Sequence, residues 1–101
     1  MEQQRQSDKK RQPRKRTIVS EKLKVVLLND DVTTYDFVIR MLMEVFFFDK
    51  DEAYQVAVET DTRGRAEVGV YPPDIAKSKV AAATSMARAE NFPLQIITEN
   101  A

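Results

Sequence analysis

The sequence predicts an α+β fold, a single domain of order β-α-α-β-α-β whose three-stranded, mostly antiparallel sheet carries its helices on one face. Three observations lead there. Phe37, Val38, Met41, Leu42, Val45 and Phe46 recur at the spacing of an amphipathic helix. Three short runs, 22–28, 65–71 and 94–98, have the aliphatic and β-branched content of strands. Gly64, Pro72, Pro73 and Pro93 fall between the periodic segments, where a chain turns.

Taken in order, Lys22 to Leu28 reads as the first strand. Thr33, with Asp36 three residues on, forms a capping-box pattern that opens a helix from Thr34 to Phe47. Met41, Met43, Phe46, Phe47 and Phe48 read as core packing. Asp49 with Glu52 repeats the capping signal, and Lys50 to about Asp61 continues as a short helix through Ala53, Val56 and Ala57. Gly64 then breaks the pattern. Arg65 to Tyr71 reads as a strand, Pro72-Pro73-Asp74 stops it and opens a helix, and Ala76 to Glu90 is alanine-rich and helix-forming. Pro93 precedes a last strand, Leu94 to Thr98.

With 101 residues, 43% of them hydrophobic, the chain supports one domain with a modest core. It has no cysteine and no histidine. That removes disulfides, the usual zinc sites and every nucleophilic arrangement that relies on thiol or imidazole, so no metal, cofactor or catalytic residue is expected. No apolar run approaches the roughly 18 residues of a membrane span, and residues 1–20 lack the apolar stretch of a secretory signal. The expected location is therefore the cytosol, or the stroma if the chain comes from an organelle.

The zero formal charge conceals two unlike parts. Residues 1–20 carry seven basic side chains against two acidic ones, whereas 21–101 carry nine basic and fourteen acidic. The basic segment has no aromatic residue and is expected to be a disordered extension of a domain at 21–101. A basic arm binds phosphates weakly, but the acidic domain and the lack of stacking aromatics in the arm argue against nucleic-acid binding.

Candidate binding chemistry sits at the tip between the first strand and the first helix, where Asn29, Asp30 and Asp31 place an amide and two carboxylates at the surface. A turn with Asx-type hydrogen bonding is the plain structural explanation for them. Ala57, Thr60 and Asp61 stand at i, i+3 and i+4 and so share one helical face, which could line a cleft.

The run Lys24-Val25-Val26-Leu27-Leu28-Asn29-Asp30-Asp31-Val32-Thr33, followed by Phe37-Val38, resembles the ClpS family of adaptors of the bacterial Clp protease. Gly64-Arg65-Ala66, Gly69-Val70-Tyr71, Asp74-Ile75-Ala76 and Lys79-Val80 agree with it in order and spacing, and the resemblance covers about residues 22–99. It implies an N-degron adaptor without chemistry of its own. Such a protein binds substrates that begin with Phe, Leu, Trp or Tyr and delivers them to the ClpA unfoldase and the ClpP peptidase. A free α-amino group is an ammonium with three diverging donors, so its recognition calls for about three acceptors and negative charge. The resemblance implies Asn29 and Asp31 for two of these, with Asp30 alongside. Where the family has a histidine as the third, this chain has Asp61, and three carboxylates so close would raise one of their pKa values. Where the family commonly has a methionine at the rim, it has Tyr35, which becomes the gate. Leu27, Thr33, Val38, Ala57, Thr60 and Leu94 complete the implied pocket.

By the same resemblance, Asp74 and Lys79 face the N-terminal domain of the unfoldase, the basic segment is the extension used in delivery, and the protein acts as a monomer. An alternative is a ClpS-like paralogue that docks on the unfoldase and modulates it, its degron pocket altered by Tyr35 and Asp61. Enzymatic activity has no supporting motif.

Overall fold

The computed structural model describes residues 21–101. The expectation for residues 1–20 lies outside the described residues. The elements are β1 (Leu23–Leu28), α1 (Tyr35–Phe46), α2 (Lys50–Arg63), β2 (Arg65–Tyr71), α3 (Pro73–Ala89) and β3 (Gln95–Asn100). Their order is the one expected from sequence.

Strand β1, whose Val25, Val26 and Leu27 are completely buried, forms the centre of the sheet, in the order β2-β1-β3. Both pairings are antiparallel. Alternation along the strand directs Val25 and Leu27 to the helices, where they join a core with Phe37, Met41, Leu42, Ala76, Ala83, Ala87 and Leu94. The alanines let α3 approach closely, and Phe37, Met41 and Leu42 contribute about 1.5–3 kcal/mol each by burial. A bulge between Val25 and Val26 shifts the register against β2. Beside it, a Cβ on Gly69 would stand 2.9 Å from the Tyr71 hydroxyl oxygen, so glycine leaves room for that ring.

Local chemistry sets the helix ends. Asp49 and Glu52 form a complete capping box, the Asp49 side chain accepting from Glu52 N–H and the Glu52 side chain from Asp49 N–H. Gly64 ends α2 in the left-handed region, at φ 84°. The expected capping residue of α1 is off by one position: Thr34 is the N-cap and accepts from Phe37 N–H at 3.2 Å. Thr33 is engaged elsewhere, as described below. Of the five residues expected to pack in the core, Met41 and Phe46 do, but Met43 faces outward from α1, and Phe47, which ends the helix at φ 60°, is 80% exposed. Lys79 of α3 donates to the Val45 carbonyl at 2.9 Å and lies 4.9–5.5 Å from the ring centres of Phe46, Phe47 and Tyr71. This cation serves the C-terminal end of α1, where the helix dipole favours positive charge.

Among the described residues no helix is long and apolar enough to cross a membrane.

Candidate functional site

The tip after β1 is built by one carboxylate. Asp30 accepts from Val32 N–H at 2.8 Å and Thr33 N–H at 2.7 Å through Oδ1, and from the Thr33 hydroxyl at 2.8 Å through Oδ2. Asp30 therefore closes an Asx-type turn, which is the plain structural reading of this segment realised in one of its three residues. Partial burial pushes its pKa up, but the hydrogen bonds from Thr33 and Val32, with the Arg88 charge, outweigh it and hold the carboxyl below its usual range. The expected upward shift from crowded carboxylates is thus reversed at Asp30, because donors surround it.

A second bond joins the tip to α2. Asn29 N–H donates to the Gly64 carbonyl at 2.9 Å, so the residue that ends α2 also pins the start of the tip. This brings the last turn of α2, with Asp61, beside Asn29 and Asp31. Tyr35, the first residue of α1, spans the same gap: its hydroxyl donates to Asp61 Oδ2 at 2.7 Å. The Tyr35 ring also lies 6.3 Å from that of Tyr54 of α2, tilted by 57°.

Between these elements lies a cavity of about 260 Å³. Its lining is polar at Asn29, Asp30, Asp31, Thr33, Thr60 and Asp61, apolar at Val38, Ala57 and Leu94, and includes Tyr35. Thr60 is buried, and its hydroxyl donates to the Val56 carbonyl at 2.8 Å. That hydrogen is committed, so toward the cavity Thr60 acts as a small, weakly polar residue. Among the described residues, three carboxylates and no cationic side chain line the space. The chemistry suits a ligand with a positive head and an apolar body. Among the described residues, no group of histidine, cysteine, aspartate or glutamate side chains is arranged to hold a metal ion.

The structure thus gathers ten of the eleven residues expected for the pocket and amine site into one cavity. Leu27 is the exception. It is fully buried in the core with Val38, Ala57 and Leu94, and underlies the cavity instead of lining it. Asp74 and Lys79 lie on α3 and do not line the cavity. Asp74 is exposed in the first turn, whereas Lys79 is partly buried and bonded as described. Two supporting residues were missed from sequence. Gly64 gave only a helix-stop signal. Arg88, whose guanidinium donates to the Phe92 and Leu94 carbonyls at 2.7 and 2.9 Å, fixes the segment that carries Leu94. It could have been read only as a cation in the last turn of a helix.

A family model described as "ATP-dependent Clp protease adaptor protein ClpS" matches residues 19–97. The ATP-dependent Clp protease adapter protein ClpS of Nautilia profundicola is 45% identical over 76 residues, spanning 75% of this chain and 78% of the relative. That of Wolinella succinogenes is 40% identical over 95 residues, spanning 92% and 93%. A solved structure, that of Agrobacterium tumefaciens ClpS2 bound to L-phenylalaninamide, is similar with a TM-score of 0.79 and 36% identity, covering 81% of this chain and 99% of that one. The chain belongs to the ClpS family of adaptor proteins of the ATP-dependent Clp protease.

Proposed function

We propose that this protein is an N-degron adaptor, which binds the free α-amino group and bulky hydrophobic first residue of a substrate and delivers it to a ClpA-type unfoldase. The observation that carries this reading is a single cavity lined both by the carboxylates Asp30, Asp31 and Asp61 and by the apolar Val38, Ala57 and Leu94. Asn29, Asp31 and Asp61 accept from the ammonium, and Asp30 holds the tip that presents the first two. The first side chain, Phe, Leu, Trp or Tyr, enters past Tyr35. Its burial is worth about 1.5–3 kcal/mol, and charge-assisted hydrogen bonds add about 1.5–3 kcal/mol each. Micromolar affinity needs roughly 8 kcal/mol, so burial of the side chain does not suffice without the ammonium contacts. Docking through the exposed Asp74, with Lys79 close by on the same helix, and delivery by the 1–20 segment belong to the same proposal, as do a monomeric state and a cytoplasmic location.

The test is affinity for fluorescent peptides beginning with Phe, Leu, Trp or Tyr, each against its N-acetylated form. The adaptor reading expects binding that acetylation abolishes. Equal binding of free and acetylated peptides, or none, contradicts it and favours a paralogue that acts on the unfoldase alone.

A further inference from the structure

We infer that Tyr35 and Asp61 work as one hydrogen-bonded unit, a strap across the mouth of the cavity in which Asp61 positions the tyrosine ring that selects the first side chain. The inference rests on the adaptor reading proposed above and assigns selectivity within it to a pair of residues.

The two residues belong to different helices, 26 positions apart, and meet at 2.7 Å through the tyrosine hydroxyl and Asp61 Oδ2. Both line the cavity. Tyr35 begins α1 and Asp61 lies in the last turn of α2, so the ring bridges one wall to the other. Tyr54 braces it from α2. A tyrosine at the first turn of a helix, 38% exposed, would otherwise exchange among rotamers. Tied at its far end, it is a bar of fixed position. Among the described residues only Oδ2 is used, and a carboxylate accepts at about four lone-pair sites, so Asp61 keeps capacity for a ligand ammonium. The phenol is also held above its ordinary pKa, first by the Asp61 hydrogen bond, which marks the contact as one favouring the neutral hydroxyl.

A bar at a fixed height discriminates by width at the first carbon of the entering side chain. Leu and Phe, with a methylene there, pass end-on, whereas Ile and Val meet the ring. The strap therefore predicts that selection against β-branched residues is lost when the tie is cut, even if the ring remains.

The experiment measures the Leu-to-Ile affinity ratio of otherwise identical peptides for wild type, Tyr35→Phe, Asp61→Ala, Asp61→Asn and the Tyr35→Phe/Asp61→Ala double variant. The ratio should narrow about tenfold in Tyr35→Phe and in Asp61→Ala, the scale of a one-carbon steric discrimination. It should narrow no further in the double variant, because both changes cut one bond. Asp61→Asn keeps an acceptor oxygen for the hydroxyl and should keep the ratio, while overall affinity falls with the lost charge. A ligand-independent arm follows the Tyr35 phenol by carbon-13 NMR, its titration returning toward the ordinary value in Asp61→Ala. A wild-type ratio in Tyr35→Phe, multiplied effects in the double variant, or an unmoved phenol overturns the strap. Absence of amine-dependent binding in wild type overturns the adaptor reading itself, and is thereby distinguishable.

Discussion

Replacing Asp30 with alanine tests whether that carboxylate is a scaffold for the tip. Three hydrogen bonds end on it, at 2.7–2.8 Å, from two backbone N–H groups and one hydroxyl. Net contributions of about 0.5–1.5 kcal/mol per bond, taken at the lower end because the Val32 bond is exposed, sum to about 2 kcal/mol. For a domain of this size that is a fall in Tm of about 10 °C. The Val32 donor is left to water, whereas the two Thr33 donors are partly buried, so the sum is a lower figure for the cost. The lowered pKa of Asp30 sets the pH dependence. Its stabilisation is complete above the unfolded-chain value of about 3.9, and is lost as the pH falls through the depressed folded value. Urea unfolding at neutral pH should therefore show the full difference between wild type and Asp30→Ala, which should vanish in strong acid. Asp30→Asn, which keeps Oδ1 for the two N–H groups, should fall between them. Phe-peptide affinity should drop about tenfold in Asp30→Ala, since Asn29 and Asp31 lose their support. A variant as stable as wild type, with the same acid profile, would refute the scaffold role.

Other expectations follow from single contacts. Gly64→Ala should cost about 1 kcal/mol in urea unfolding, because its φ of 84° disfavours a side chain while no neighbouring atom lies within 4 Å of the new Cβ. Lys79→Met should cost about 1–2 kcal/mol through the lost bond to Val45 and the lost contacts with Phe46, Phe47 and Tyr71. Asp74→Ala should impair delivery to the unfoldase at unchanged stability, so a delivery defect that appears only together with unfolding would count against a docking role for α3. Deleting residues 1–20 should leave peptide affinity unchanged yet impair delivery, and full delivery by the shortened chain would contradict the part assigned to that segment.

The elements were legible because their signals are local. Capping at Asp49 and Glu52, the stop at Gly64 and the spacing of Phe37, Met41 and Phe46 each depend on residues a few positions apart. From the residues alone only the polar tip at Asn29–Asp31 and the face shared by Ala57, Thr60 and Asp61 were legible, and it was the resemblance to the ClpS family that joined them into one pocket. Where local signals competed, the reading slipped: Thr33 and Thr34 both suit a cap, and only the turn closed by Asp30 decides between them. Pairings across elements were not legible at all. Tyr35 with Asp61, Asn29 with Gly64 and Lys79 with Val45 depend on how helices and strands dock, and nothing in the spacing encodes them. Leu27 was misplaced for a related reason, because strand alternation says which face it takes but not whether a helix covers it.

The central claim is that one cavity binds an α-ammonium together with a large apolar side chain. Titration of the nitrogen-15-labelled protein with L-phenylalaninamide, followed by amide NMR and repeated with its N-acetyl derivative, tests it most directly. The account predicts saturable shifts confined to residues 29–38, 57–61 and 94, with none from the acetylated compound. Because the chain has no histidine, they should persist through pH 6.5 and fade only where the ligand amine deprotonates or the carboxylates protonate. Shifts centred on α3, or equal shifts from both compounds, would contradict it.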